Sequence, residues 1–469
     1  MNLKYCSFFS TNNLLSSLQK IVYTLFIIIY MLAFFSCQNQ SSKIEVTSAN
    51  YHEAVDKITE VMVHDIFSPP VASRIYNYAN IAAYEVIQQS SKNYKTLASQ
   101  VKDLQPVQKA DTSIVHLEVA ALIAYLEVGK SLLFSEDRIQ QYQDSLYKNW
   151  HTVNKNSFEV SKEYGEKVAN HIKDWYKADN YAQTRTMPKF SVNTDDPSRW
   201  QPTPPDYMSG IEPHWAKIRP MVLKDPSQFK PNPFPKFSLE KETSFYKEVV
   251  ETYKVGKQIR EEGESSEKLK IAQFWDCNPY VSTHKGHLMF ATKKITPGAH
   301  WIGICKIACQ KTNTDFIKTI YAYTRTSVAI ADAFISCWDE KYRSNLIRPE
   351  TLINQYIDQD WEPILQTPPF PEYTSGHSVV SGAAATVLTD IFGDNFSFDD
   401  TTEVAYGLPV RSFSSFYQAA EEAAVSRLYG GIHYRSAIDL GLLQGKNMGT
   451  YVVENVKLKV DKESSVASK

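Results

Sequence analysis

The chain has 469 residues, 43% of them hydrophobic and 13% aromatic, which suffices to bury a large core and excludes a disordered polymer. Its 50 Lys and Arg against 52 Asp and Glu leave almost no net charge and form no basic run, which excludes a general nucleic-acid surface. Any anion it binds must be met by a local cluster.

At the N-terminus, Lys4 and Lys20 flank a polar lead, and Ile21 to Phe35 is almost wholly apolar before Ser36-Cys37. Such a run is shorter than the roughly 20 residues a spanning helix needs and fits the apolar core of an export signal. A small residue followed by Cys at its end resembles a bacterial lipobox. The expectation is a lipoprotein signal over 1–36, lipid on the Cys37 sulfur, and a polar tether over 37–50. The protein would then be exported, periplasmic or at the cell surface, and membrane-tethered through that lipid. Four cysteines remain, Cys277, Cys305, Cys309 and Cys337; their even count permits disulfides in an exported protein although the spacing gives no small-scaffold framework, and Cys305 and Cys309, four apart on a predicted helix, read as buried thiols.

Apolar residues then recur at three- and four-residue steps, which predicts helices over 52–67, 72–89, 111–134, 136–150 and 156–178, an N-terminal helical region spanning 51–185. Pro69-Pro70 interrupts the first two. Residues 186–242 hold a large share of the 22 prolines together with Trp200 and Trp215. Proline removes a backbone donor and biases its predecessor to extended forms, so helices cannot run through this stretch; it is a domain linker or a long strap across the helices, and its aromatic content favours the packed strap. Helical period returns at 240–262, 268–275, 300–342, 378–392, 415–429 and 436–456, a C-terminal helical region over 243–457 before a polar tail at 458–469. No convincing alternating strands and no Gly-rich phosphate loop are seen. The fold class is mainly α, a helical bundle, either one large or two packed four-helix-type bundles.

Three stretches of the C-terminal region carry side chains suited to a tetrahedral oxyanion: Lys341 and Arg348-Pro349, Ser375-Gly376-His377, and Arg427 with His433. On one continuous helix Lys341 and Arg348 would share a face roughly 10 Å apart along the axis, with Pro349 ending the helix. Ser375-Gly376-His377 opens a helical run, where free N–H groups and the positive dipole end favour an anion. Ser375 can donate, Gly376 lets the backbone come close, and His377 can move a proton as acid or base. Gly430-Gly431 breaks the helix between Arg427 and His433, so both can turn to one point. An imidazole there can attack phosphorus or coordinate a metal oxyanion.

These three parts, in this order, resemble the superfamily that joins vanadium-dependent haloperoxidases with type 2 phosphatidic acid phosphatases and bacterial acid phosphatases. The stretches at 69–74 and 200–205 and the Phe274-Trp275 pair resemble its soluble haloperoxidase-like branch. The resemblance implies the helical bundle of the haloperoxidase/acid phosphatase type. It implies that Lys341, Arg348 and Arg427 bind equatorial oxygens, with Ser375 and the Gly376 N–H completing the cradle. His433 would be the vanadium ligand, or the nucleophile of a phosphatase, and His377 the acid-base residue. Trp338 and Phe370 stand where haloperoxidases place aromatics around the cofactor, and favour vanadate over phosphate as occupant. Two positions depart from the pattern: Thr374 replaces the usual proline, and Ala437 stands where phosphatases carry an acidic residue four after the histidine. Asp276 or Asp439 is then the candidate carboxylate for orienting Arg427 or His433.

The resemblance therefore implies an oxidoreductase, a vanadate-dependent haloperoxidase oxidising halide with hydrogen peroxide, metal-binding through His433 and catalytic through His377 and His433. The alternative is an exported phosphomonoesterase acting through phospho-His433, with a phosphate ester as substrate and no cofactor. A third reading is a surface lipoprotein that only binds a glycan or anion. A zinc site on His284, His287 and His300 lacks an HExxH pattern and is set aside.

Overall fold

The apolar stripes fold into helices close to their expected bounds, and the chain has two helical halves sharing one long element. α1 (Ser48–His64), α2 (Pro69–Ile87), α3 (Leu117–Lys130), α4 (Glu136–Val153) and α5 (Lys155–Lys177) make the first half. Ser68 caps α2 by accepting from the Val71 N–H, and Pro69-Pro70 occupy its first turn, where missing donors cost nothing. Every residue of α2 is buried, so it is the central helix of this half, while α4 and α5 present polar outer faces. Each large apolar side chain so buried stabilises the fold by about 1.5–3 kcal/mol.

The computed structural model describes residues 20–26, 43–285, 288–291 and 293–460, with backbone alone for 282–285 and 288–291. Cys37, most of the apolar run before it and the tail past 460 lie outside the described residues, as does His287. Among the described residues no helix is long and apolar enough to cross a membrane.

The second half comprises a short α6 (Tyr181–Thr184), α7 (Ser244–Glu262), α8 (Glu267–Phe274), α9 (Pro297–Lys311), α10 (Phe316–Ser344), α11 (Pro349–Tyr356), α12 (Gly376–Phe392), α13 (Phe416–Tyr429) and α14 (Arg435–Asn455). α10 packs on α2 and on α12, so it belongs to both halves. α12 and α14 lie in closer contact than any other pair because small residues face each other: a Cβ on Gly445 would meet the Val379 carbonyl oxygen at 2.1 Å, and one on Gly449 the Ala383 oxygen at 2.7 Å. Two short antiparallel hairpins also form, β1 (Ser282–Lys285) with β2 (Leu288–Ala291), and β3 (Phe398–Asp400) with β4 (Arg411–Phe413). Strands of three or four residues are too short for an alternation signal.

The single helix expected over 300–342 is two, parted where the Asp315 carboxylate caps α10 by accepting from the Lys318 N–H at 2.8 Å. Nor do Lys341 and Arg348 share a helix. α10 ends at Asn345, in the left-handed conformation (φ 50°) that Asn tolerates, and Pro349 starts α11 rather than stopping α10.

Residues 186–242 form the packed strap. The buried Asp332 carboxylate on α10 accepts the N–H groups of Met221 (2.6 Å), Val222 (2.8 Å) and Leu223 (3.1 Å). The Ile211 carbonyl accepts Trp338 Nε1–H at 3.2 Å and the Tyr342 hydroxyl at 2.6 Å, and Ile211 N donates to the Pro369 carbonyl at 3.0 Å. Its own Trp200 and Trp215 are buried.

Candidate oxyanion site

The three stretches converge on one pocket, with Gly376, His377, Arg427 and His433 on its polar side and Trp338 and Phe370 on its apolar side. Lys341 comes from the last turn of α10, Arg348 from the cap of α11, Ser375 from the cap of α12, Arg427 from the end of α13, and His433 from the turn before α14. Gly431 makes that last turn possible at φ 73°, and a Cβ there would press on Trp361 at 3.2 Å.

All three cations are buried and lean on carbonyls. Lys341 Nζ donates to the Pro371 and Glu372 oxygens (3.1 and 3.0 Å). Arg348 donates from Nε to Phe370 O at 2.9 Å and from Nη1 to Ile432 O at 2.8 Å, and Arg427 Nη1 donates to Trp275 O at 3.0 Å. The Phe370 ring lies under two of the charges, its centroid 5.0 Å from Lys341 Nζ and 5.1 Å from the Arg348 guanidinium carbon. Burial still disfavours these charges: it lowers Lys341 to about 7 and Arg348 to about 10, and holds Arg427 below its ordinary value.

His433 is fixed in one tautomer. Arg348 Nη1 donates to its Nε2 at 3.1 Å, so Nε2 carries the lone pair and the Nδ1–H is the donor to Glu372 Oε1 at 2.8 Å. The same oxygen accepts the Tyr434 N–H at 2.9 Å. Burial raises Glu372 to about 8, against the opposing pull of Arg348 and the Tyr434 N–H. Burial and the neighbouring cations hold His433 and His377 well below 6.5, so both imidazoles are neutral near pH 7. His377 is held by a hydrogen bond to the Trp275 backbone, and its Nε2 has no partner among the described residues. The Ser375 Oγ accepts the Ser378 N–H at 3.3 Å as a helix cap, which leaves its own proton free to donate.

Similarity to known proteins follows the same lines. A family model described as the VCPO second helical-bundle domain matches residues 356–462. A vanadium-dependent bromoperoxidase of Corallina officinalis is 31% identical over 102 residues, 20% of this chain and 17% of the length of that relative. The crystal structure of the first bacterial vanadium-dependent iodoperoxidase superposes with a TM-score of 0.87 at 60% identity, covering 90% of this chain and all of that one. The chain belongs to the vanadium-dependent haloperoxidase family. A holo bacterial vanadium-dependent chloroperoxidase, at 17% identity and a TM-score of 0.64 over 84% of this chain and 93% of that one, shares the fold.

The family's vanadate can be tested against the donors that this member presents. Arg348 Nη2 and Arg427 Nε are buried donors without a partner among the described residues, and His377 Nε2, the open acceptor of a neutral ring, lines the same pocket as Arg427. Unpaired buried donors cost about 1–3 kcal/mol each, and an oxyanion would satisfy them. The His433 Nε2 lone pair is the ligand a metal centre requires, with the other nitrogen on a carboxylate. The residues fit the group.

Sequence reasoning missed the carboxylate that orients His433. Asp439 pairs electrostatically with Arg435, and Asp276 forms an ion pair with Lys294 while lying near enough to Arg427 to support its charge. Neither is bonded to His433. Glu372 is, placed by the Pro-rich approach to Ser375. Its signal was an acidic residue inside the apolar run Pro368 to Tyr373. All four cysteines are free and buried, which settles for Cys277 and Cys337 what the sequence left open.

Proposed function

We propose that this chain is a vanadate-dependent haloperoxidase that oxidises halide with hydrogen peroxide, iodide foremost. The observation that carries it is His433 Nε2, an acceptor facing Arg348 within the field of Lys341 and Arg427, with its tautomer locked by Glu372 at Nδ1. Lys341, Arg348 and Arg427 offset the charge of the anion, and Ser375 Oγ–H and the Gly376 N–H complete the cradle. His433 Nε2 is the ligand. When bound, vanadate supplies Lewis-acid activation of hydrogen peroxide without changing oxidation state. His377, kept neutral by burial, accepts a proton at Nε2 from the incoming peroxide and returns it to the leaving oxygen. The Trp338 and Phe370 rings, centroids 5.0 Å apart, wall the pocket with apolar surface. A low-dielectric wall penalises a small, strongly hydrated halide more than a large one, and the relative at 60% identity is an iodoperoxidase.

A His433 nucleophile oriented by Glu372 would equally serve a phosphatase working through phosphohistidine. A paired assay separates the readings: halide oxidation and phosphate-ester hydrolysis, each with and without orthovanadate, on metal-stripped protein. Vanadate is expected to switch on oxidation of iodide. Rapid ester hydrolysis that vanadate inhibits, with no halide oxidation, refutes the peroxidase. Export and lipid attachment at Cys37 complete the proposal, supported by the apolar run ending in Ser36-Cys37. Loss of radiolabelled lipid incorporation in Cys37→Ser is the expected result, and persistent labelling refutes it.

A further inference from the structure

Adjoining the oxyanion pocket, whose wall includes Cys277, lies a second cluster to which the halide chemistry assigns no role. His300 on α9 is fully buried and stacked on Trp275, ring centroids 4.3 Å apart and planes 20° from parallel. Its Nε2 meets Asp400 Oδ2 at 2.8 Å and the Thr402 hydroxyl at 2.8 Å. Its Nδ1 faces a different pair, the Cys277 sulfur at 3.5 Å and Glu403 Oε1 at 3.2 Å. The sulfur and that carboxylate oxygen are themselves 3.9 Å apart.

We propose that Cys277, His300 and Glu403 form a site for a divalent cation of the zinc class, with Asp400 orienting the imidazole. The warrant is geometric. Zinc bonds of about 2.0–2.3 Å to N, O and S, set at tetrahedral angles, put the ligand atoms roughly 3.3–3.6 Å from one another. The triangle of 3.5, 3.2 and 3.9 Å lies around that range before any ion is placed. One thiol, one imidazole and one carboxylate is a mixed soft and hard set that suits zinc and cobalt better than magnesium or calcium. A metal-bound histidine commonly carries a carboxylate on its other nitrogen, which fixes the ring and the tautomer, and Asp400 occupies that place.

The competing account is an imidazolium held between Asp400 and Glu403, an ion network with no metal. It explains both carboxylates and leaves the Cys277 thiol only long contacts, 3.5 Å to Nδ1 and 3.9 Å to Glu403 Oε1, whereas a cation would use sulfur, nitrogen and oxygen together on that one side of the ring. The cation has a structural consequence of its own. It ties the segment after α8 to α9 and to the turn after β3. Trp275 in that segment gives its carbonyl to Arg427 and its backbone to His377. The metal thus braces the back of the oxyanion cradle, whichever reaction that cradle performs.

The test uses the full chain expressed in cobalt-supplemented medium, so that a buried site is filled as the protein folds. Metal content and the visible and near-ultraviolet absorption are then measured. The expected result is one cobalt per chain with a sulfur-to-cobalt charge-transfer band. Cys277→Ser should lose the band, and Glu403→Gln should lower the metal content, whereas Cys337→Ser and His433→Ala should keep both. Circular dichroism confirms that each variant is folded. Should Cys277→Ser fail to fold, the band in the wild-type chain and its weakening in Glu403→Gln still decide the matter. Folded wild-type protein with no cobalt above a chelator-treated control, or a band that survives in folded Cys277→Ser, overturns the site and leaves the imidazolium network.

Discussion

Replacing Glu372 by Gln probes the centre of the site with little change of shape. The carboxylate takes two donors on one oxygen, His433 Nδ1–H at 2.8 Å and Tyr434 N–H at 2.9 Å, while its second oxygen has no partner. A Gln carbonyl can keep both bonds, so what is removed is the negative charge behind the imidazole. Outer-shell partners of metal-bound histidines are worth about 10–100-fold in affinity, that is roughly 1.4–2.7 kcal/mol. Glu372→Leu goes further and leaves two buried N–H groups unpaired, at about 1–3 kcal/mol each. The expected pattern is therefore a split. Gln weakens orthovanadate binding about 10–100-fold with an almost unchanged melting temperature, whereas Leu loses both affinity and stability. Calorimetric titration of orthovanadate into metal-stripped protein reads the first quantity and thermal unfolding the second. The titration belongs above pH 8, where Glu372 is ionised in the free protein as well. A Gln variant that binds vanadate within about twofold of wild type would refute the assignment of Glu372 as the group that tunes His433.

Three further outcomes follow from the same geometry. Lys341 is held near 7 in the free protein and must be charged against a bound anion, so binding takes up a proton. Affinity is then fully present below that pH and falls up to about tenfold per unit as pH rises above it. Comparing vanadate titrations of wild type and Lys341→Met over pH 6–9 isolates this slope, which the variant should lack. His433→Ala should abolish vanadate binding while circular dichroism stays unchanged; retained stoichiometric binding would move the ligand elsewhere. Gly445→Ala puts a methyl group 2.1 Å from the Val379 carbonyl oxygen, so α12 and α14 must part. A loss of about 1–3 kcal/mol in denaturant unfolding is expected, and unchanged stability would show that the crossing yields freely.

Much of the site was legible because its cations and imidazoles sit in short stretches whose neighbours explain them. Ser375 begins a helix, and Gly431 supplies the φ 73° turn before His433. Glu372 was not legible. It meets a histidine 61 residues away across two loops, and local period carries no information on such a pairing. The break between Lys341 and Arg348 was misread for a related reason. Pro349 was taken as the stop, while the left-handed Asn345 four residues earlier does the work and frees proline to start the next helix. For 186–242 the prolines ruled out helices and the tryptophans favoured a strap over a linker, but the anchoring of this stretch to the Asp332 carboxylate rests on N–H groups that no side-chain pattern shows.

That strap has a bearing on descent. Among the described residues none of its groups is bonded to Lys341, Arg348, Arg427 or His433, yet through Ile211 it props Trp338 from behind and meets Pro369 beside Phe370. On the proposed function, a lineage could trade one substrate ion for another through changes in a proline-rich stretch that shifts the aromatic rings, and leave untouched the lysine, arginines and histidine of the cradle.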